Sequence, residues 1–214
     1  MMDGGNTGRQ AAVIVAHPDD EVLWAGGTIL QHADWQWQVL ALCRRSDSDR
    51  APRFFQAMEA LYAEGTIADL DDSPEQAPLP IPEVEAVIIT ALPLSHYDLV
   101  ITHSPRGEYT RNRRHEEVGK TVLSLWHKGR LNCDEIWLFA YEDGGRSYLP
   151  RAIENADVVQ VLPDHIWRRK YDLITGIYGF PQDGFEARTT PRTEAFWHLT
   201  DKSNLSRWLE ENKQ

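Results

Sequence analysis

The apolar run Ala11-Ala12-Val13-Ile14-Val15-Ala16 passes without a spacer into His17-Pro18-Asp19-Asp20-Glu21. A short continuous apolar run is the pattern of a strand buried on both faces of a parallel sheet. Its abrupt end in an imidazole and three carboxylates puts groups beside a core that are costly there unless something compensates them. A divalent metal is the most economical compensation. The stretch therefore constrains the fold and the chemistry together.

The rest of the chain alternates strand and helix patterns. Val22, Gly26, Ile29 and Leu30 share helical spacing, and the pair Gly26-Gly27 suits a helix packed closely on a sheet. Residues 37–43 predict a second strand and residues 44–52 a polar loop. A helix is expected over about 53–64, with Phe54, Met58, Leu61 and Tyr62 on one side. Residues 66–70 predict a short strand. The acidic, proline-containing stretch 71–82 predicts an exposed loop, followed by helix over 83–92. Residues 98–103 repeat the buried-strand signal and end at His103. A helix over 115–127, with Val118, Val122 and Leu125 facing the core, and strands over 136–141 and 156–162 complete the pattern. Trp167, Tyr171, Ile174 and Tyr178 make one further helical stripe, closed by Gly179 and Pro181. Residues 189–214 carry no clear pattern, and the chain has no internal repeat.

Strands alternating with helices imply an α/β fold built from βαβ units, a mostly parallel sheet with helices on both faces. One domain is expected over 1–214, its core at about 11–162 and a C-terminal extension over 163–214; 214 residues suffice to bury a core without staples. In open sheets of this kind ligands bind beyond the carboxyl ends of strands, where the strand order reverses. For the order 3-2-1-4-5 that crevice lies between the first and fourth strands, whose ends carry His17 and His103.

A formal charge of −11 argues against nucleic-acid binding and against attraction to anionic membranes. The basic islands Arg44-Arg45 and 111–114 are local exceptions, solvated surface by default but close enough to the expected crevice to touch an anion. No apolar stretch approaches the ~20 residues of a membrane span, and residues 1–10 are polar without a signal-type apolar core. Cys43 and Cys133, far apart, read as buried and reduced. These features predict a cytoplasmic protein acting on a small-molecule substrate; an oligomer is compatible with them.

His17 and Asp20, three residues apart in a turn entering a helix, can face one ion, and His115 at the start of the helix after the fourth strand is the expected third ligand. Catalytic zinc commonly takes three protein ligands and leaves one position open. Two nitrogens and a carboxylate suit Zn²⁺, with Fe²⁺, Mn²⁺ or Co²⁺ also compatible. The helix N-terminus favours ionised Asp19 and Asp20 near neutral pH. Asp19 is then left as general base toward a metal-activated water, and Glu21 as a residue orienting the loop. His103 is expected to support a ligand. His32, His96, His127, His165 and His198 are expected to lie away from the crevice.

Ala16 to Glu21, followed by Gly26-Gly27-Thr28, resembles the A-H-P-D-D-E signature of the LmbE/PIG-L family of zinc-dependent de-N-acetylases. Gly107-Glu108-Tyr109 and His115-Glu116-Glu117-Val118-Gly119 resemble the two ends of the family's second motif, and Arg53 and Glu59 its arginine and glutamate on the helix after the second strand. The resemblance spans about the first 145 residues. It implies a Rossmann-like three-layer fold and hydrolysis of an N-acetyl group, usually on an amino sugar or glycoconjugate. It also implies metal binding by His17, Asp20 and His115, base and acid work by Asp19, and a substrate-side hydroxyl at Tyr109. The family's other histidine falls on Asn112, in a loop one residue longer than the common form. Asn112 can donate a neutral hydrogen bond but no proton; Arg111, Arg113 or Arg114 could supply charge instead. Two other readings are a metal-dependent hydrolase of a different ester or amide and a catalytically silent metal-binding or ligand-sensing protein.

Overall fold

The computed structural model describes residues 8–75, 77–109 and 112–205. Residues 1–7, Arg111 of the basic loop and the end of the patternless C-terminal stretch lie outside them.

The apolar run forms β1 (Gln10–Val15), and the helix α1 (Asp20–Gln31) starts at the carboxylates. There follow β2 (Gln36–Cys43), α2 (Arg50–Leu61), β3 (Glu64–Leu70), α3 (Ile81–Ala91), β4 (Tyr97–Thr102), α4 (Arg113–His127) and β5 (Cys133–Phe139). The helix expected over 53–64 begins earlier, at Arg50, because Asp47 Oδ1 accepts the N–H groups of Asp49 and Arg50 at 3.0 and 2.9 Å and Pro52 is tolerated in a first turn.

Beyond β5 lie a small hairpin, β6 (Tyr141–Glu142) and β7 (Arg151–Ala152), then β8 (Val158–Val161) and α5 (Asp164–Asp172). α5 continues into a π-helical turn over Leu173–Ile177 and is followed by α6 (Phe185–Thr189) and β9 (Thr193–Leu199).

Among the described residues the main sheet has the order β3-β2-β1-β4-β5-β9-β8. β1 to β5 are parallel in the expected 3-2-1-4-5 order. β9 runs antiparallel between β5 and β8, so the segment beyond residue 162 supplies a strand within the sheet. Side chains of β1 alternate between two cores: Val13 and Val15 meet Trp24 and Phe54 from α1 and α2, while Ile14 meets Val122 and Trp126 from α4. The fold is thus α/β, a mostly parallel sheet with helices on both faces. No helix among the described residues is long and apolar enough to cross a membrane.

Gly27 explains the paired glycines. A β-carbon there would collide with the methyls of Leu162 and lie 2.9 Å from Glu194 Oε1. The space is needed because Glu194, buried on β9, accepts the backbone N–H groups of Gly27 and Thr28 at 2.7 Å each, the Thr28 hydroxyl at 2.7 Å and Lys170 Nζ at 2.6 Å. A carboxylate with this many donors, one of them a cation, offsets its desolvation cost.

Candidate metal centre and active-site cleft

The carboxyl ends of β1 and β4 bring their loops together as the strand order requires. His17 Nδ1, Asp20 Oδ2 and His115 Nε2 form a triangle with edges of 3.2, 3.2 and 3.3 Å. Zinc bonds of about 2.0–2.1 Å at tetrahedral angles hold neighbouring donors about 3.3 Å apart, so the triangle matches one face of a zinc tetrahedron. A single proton can bridge one edge of such a triangle; one divalent ion satisfies all three corners.

The tautomers follow from the outer partners. His115 Nδ1–H donates to Glu108 Oε2 at 2.6 Å, leaving Nε2 with its lone pair toward the triangle. His17 Nε2–H donates to Asp72 Oδ1 at 3.2 Å, leaving Nδ1 inward. Each imidazole is therefore oriented by a carboxylate behind it. Asp20 is fixed as firmly: Oδ1 accepts Trp24 Nε1–H at 3.2 Å and Oδ2 accepts the His17 backbone N–H at 2.9 Å.

Charge at the site has one direction. Burial opposes protonation of His17, but hydrogen bonds to Asp20 and Asp72 lift it to about 9. Burial likewise opposes charge on His115, and the Asp20 carboxylate overcomes it. When the imidazoles carry protons on the nitrogens facing it, Asp20 is held well below the usual carboxylate range: burial works against this, and the His115 charge and the imidazole hydrogen bonds prevail. The carboxylates favour positive charge at the triangle, which a divalent cation supplies.

His103 stacks on His115 with ring centroids 3.9 Å apart. Its Nδ1 donates to Glu108 Oε2 at 2.9 Å, and its Nε2 accepts the Ala16 N–H at 2.9 Å. Burial opposes charge on His103, and the Glu108 and Asp20 carboxylates draw it up to about 9. A nitrogen that accepts a backbone N–H cannot carry a proton, however, so the hydrogen bonds select the neutral Nδ1–H ring. The close approach of α4 depends on Gly119, where a β-carbon would lie 2.5 Å from the His103 carbonyl oxygen. Glu108, drawn on by both imidazoles and by the Ser104 N–H, is held down to about 2, with burial opposing.

Asp19 sits beside the triangle as the N-cap of α1, in an unusual backbone conformation of φ 123° and ψ −30°. The expectation that Asp19 and Asp20 both stay readily ionised applies only to Asp20. Burial first, and the adjacent Asp20 charge second, push Asp19 well above the usual carboxylate range, with Arg50 opposing. Arg50 Nη1 lies 3.2 Å from Asp19 Oδ2 and stacks over Phe180 at 4.4 Å. Glu21 accepts the Asp19 N–H at 3.0 Å and the Tyr178 hydroxyl at 2.5 Å, so it orients the loop.

A cleft of about 480 Å³ opens over these groups, lined also by Arg44, Tyr109, Asn112 and, from α6, Phe185. Tyr109 accepts a hydrogen bond from Asn112 Nδ2 at 3.0 Å, and burial keeps its hydroxyl protonated. Arg53 turns away to Asp49 and the Ile177 carbonyl, and Glu59 is exposed, so Arg50 is the arginine of α2 that meets Asp19. Arg114 is also turned away: it is buried against the Asp71 and Ala77 carbonyls and Glu117, while Arg113 is exposed at the start of α4.

Arg50, Asp72 and the double role of Glu108 escaped the sequence reading. Asp72 belongs to the acidic loop expected to be exposed, yet its side chain is only 6 % exposed, held by Arg44 at 2.5 Å. The available signal was positional: the loop leaves the carboxyl end of β3, on the same sheet edge as the other two.

The sequence profile of a family described as PIG-L: GlcNAc-PI de-N-acetylase matches residues 12–126. No curated protein sequence matches the chain. Among solved structures, N,N'-diacetylchitobiose deacetylase from Pyrococcus horikoshii is similar at 15% identity and a TM-score of 0.66, over 90% of this chain and 84% of that one. A zinc-inhibited form of the teicoplanin deacetylase Orf2 is similar at 15% identity and 0.64, over 89% and 98%. GalB, the 4-carboxy-2-hydroxymuconate hydratase from Pseudomonas putida KT2440, is similar at 18% identity and 0.58, over 90% and 97%. At these identities the likeness is one of fold, and the named activities differ.

Proposed function

The chain belongs to the PIG-L family, described as GlcNAc-PI de-N-acetylase, and from that premise we propose that it is a metal-dependent amide hydrolase. It removes an acetyl or related acyl group from the nitrogen of an amino sugar or similar small metabolite. The observation that carries this reading is the triangle of His17, Asp20 and His115, whose edges of 3.2–3.3 Å fit a zinc tetrahedron. Bound there, zinc supplies Lewis acidity, which polarises the acyl carbonyl and lowers the pKa of a water toward ~7. Asp19 takes the proton released as the water attacks and returns it to the departing amine. Tyr109 donates its hydroxyl to the acyl oxygen as that atom gains negative charge. Arg50 holds Asp19 in place. Tyr109 and Phe185 offer aromatic surface to a sugar ring.

Metal analysis of the protein purified with zinc, followed by a panel of N-acetylated sugars, tests the proposal. One equivalent of zinc, its loss in His115→Ala, and an inactive but zinc-loaded Asp19→Asn are expected. No stoichiometric metal, or full activity in Asp19→Asn, overturns it. Asn112 supports a second reading, hydrolysis of an ester, because an alkoxide needs less help from an acid than an amine does. Acyl esters in the same panel separate the two.

A further inference from the structure

Asn112 stands where the family motif has a histidine, and both ends of its side chain are engaged. The backbone N–H of His115 is an obligatory donor, so the amide atom facing it at 3.4 Å is Oδ1. That orientation turns Nδ2 toward the Tyr109 hydroxyl, 3.0 Å away. The amide nitrogen has no lone pair to offer, so Tyr109 Oη accepts there and its own proton points elsewhere. Among the described residues that proton meets no acceptor. The Tyr109 ring is confined by His115, edge-on at 5.5 Å, and by Phe185 at 5.4 Å, and it lines the cleft with His17, Asp19 and Asp20.

We infer that Asn112 is a positioning residue that makes the Tyr109 hydroxyl a one-way donor aimed into the cleft, at the acyl oxygen of the substrate. The inference rests on the acyl-hydrolase reading above and specifies how a site without the second histidine works. An imidazolium at this position would bring its own charge and proton. Asparagine brings neither, so oxyanion donation falls to Tyr109 and proton delivery to Asp19. The same side chain caps α4, which ties the hydroxyl's direction to the start of the helix that carries His115.

Asn112→Asp separates the two roles. Aspartate caps a helix as well as asparagine does, but it offers Tyr109 an acceptor and turns the hydroxyl proton away from the cleft. Asn112→Ser keeps a cap without adding charge and removes only the amide donor. Zinc-loaded wild type, N112D, N112S, Tyr109→Phe and the N112D/Y109F and N112S/Y109F double variants are compared by calorimetric titration with acetohydroxamate and by turnover of the acetylated sugar the wild type hydrolyses best.

Y109F and N112D should each lower kcat by on the order of 10²-fold, the loss typical of one oxyanion donor, with KM little changed and acetohydroxamate bound more weakly. N112S should lose several-fold. Either substitution at 112 should cost nothing further once Tyr109 is phenylalanine. Losses that multiply in the double variants, an N112D enzyme as active as wild type, or a zinc-loaded wild type that does not bind acetohydroxamate would overturn the inference. A wild type that loads zinc and binds acetohydroxamate but hydrolyses no acylated substrate would instead sink the hydrolase reading, and the binding cycle would still report the hydroxyl's direction.

Discussion

Asp19 holds a backbone conformation that a residue with a β-carbon adopts only at a cost, φ 123° and ψ −30°, of roughly 1–3 kcal/mol. Its surroundings enforce it: Glu21 accepts its N–H, its carbonyl accepts the N–H groups of Val22 and Leu23 at 3.0 and 2.8 Å, and Arg50 pairs with its carboxylate. In this conformation the carboxyl pairs with Arg50 and lines the cleft with His17 and Asp20. Asp19→Gly should therefore raise the stability of the metal-free protein in urea by about 1 kcal/mol, glycine's entropy cost included, while abolishing turnover. A lowered midpoint would show that the conformation is not strained. Asp72 acts through His17. Removing a carboxylate behind a metal-binding histidine typically weakens the site by about 10–100-fold. Asp72→Asn should do so here, because an amide oxygen accepts the His17 Nε2–H more weakly than a carboxylate does. Zinc competition against a chromophoric chelator measures the change, and an unchanged affinity would remove Asp72 from the centre.

Elements built on continuous apolar runs were legible from the chain alone. β1 and β4 are buried on both faces, so their composition announces them, and their polar exits mark the sheet edge where His17, Asp20 and His115 meet. β9 was not legible, although it lies inside the sheet. Its alternation is spoiled by Glu194, a carboxylate that no sequence pattern puts in a core unless its partner is known, and Lys170 sits on a different element. Asp72 was hidden for the converse reason. An acidic loop with prolines looks solvated, but Arg114 and Arg44 pin it from α4 and from the end of β2, and the Asp72 carboxylate turns inward to His17. Helix α1 shows how close the packing is that results. A β-carbon at Gly27 meets Leu162 and Glu194, whereas the nearest atoms to one at Gly26 are Val22 Cγ1 at 3.2 Å and Lys170 side-chain carbons from 3.5 Å. Gly27→Ala should destabilise by about 1–3 kcal/mol through overpacking. Gly26→Ala should be near neutral, its helix-propensity gain offsetting the tighter contact. Chemical denaturation of the pair checks the contrast; equal losses would mean that α1 shifts as a body.

Across the whole molecule, the His17–Asp20–His115 triangle comes from the first 115 residues, and the C-terminal third packs around it. Tyr178 reaches Glu21, Phe185 enters the cleft, and the Lys170–Glu194 pair joins α5 and β9 to the middle of α1. The two members of that pair are not equivalent. Glu194 accepts Gly27 N–H, Thr28 N–H and the Thr28 hydroxyl as well as Lys170. Among the described residues Lys170, fully buried, has Glu194 alone, and burial already pulls its ammonium below the usual lysine range. Removing one partner of a buried pair costs about 3–5 kcal/mol because the other charge is left uncompensated. Glu194→Ala should reach that range, since it strands Lys170 and three α1 donors together. Lys170→Met should cost less, because the carboxylate keeps its hydrogen bonds and the methionine fills the space of the lysine stem. Urea unfolding of the two variants should give that order. The reverse order would mean that the ammonium, and not the carboxylate's capture of the helix backbone, fastens the C-terminal third to α1.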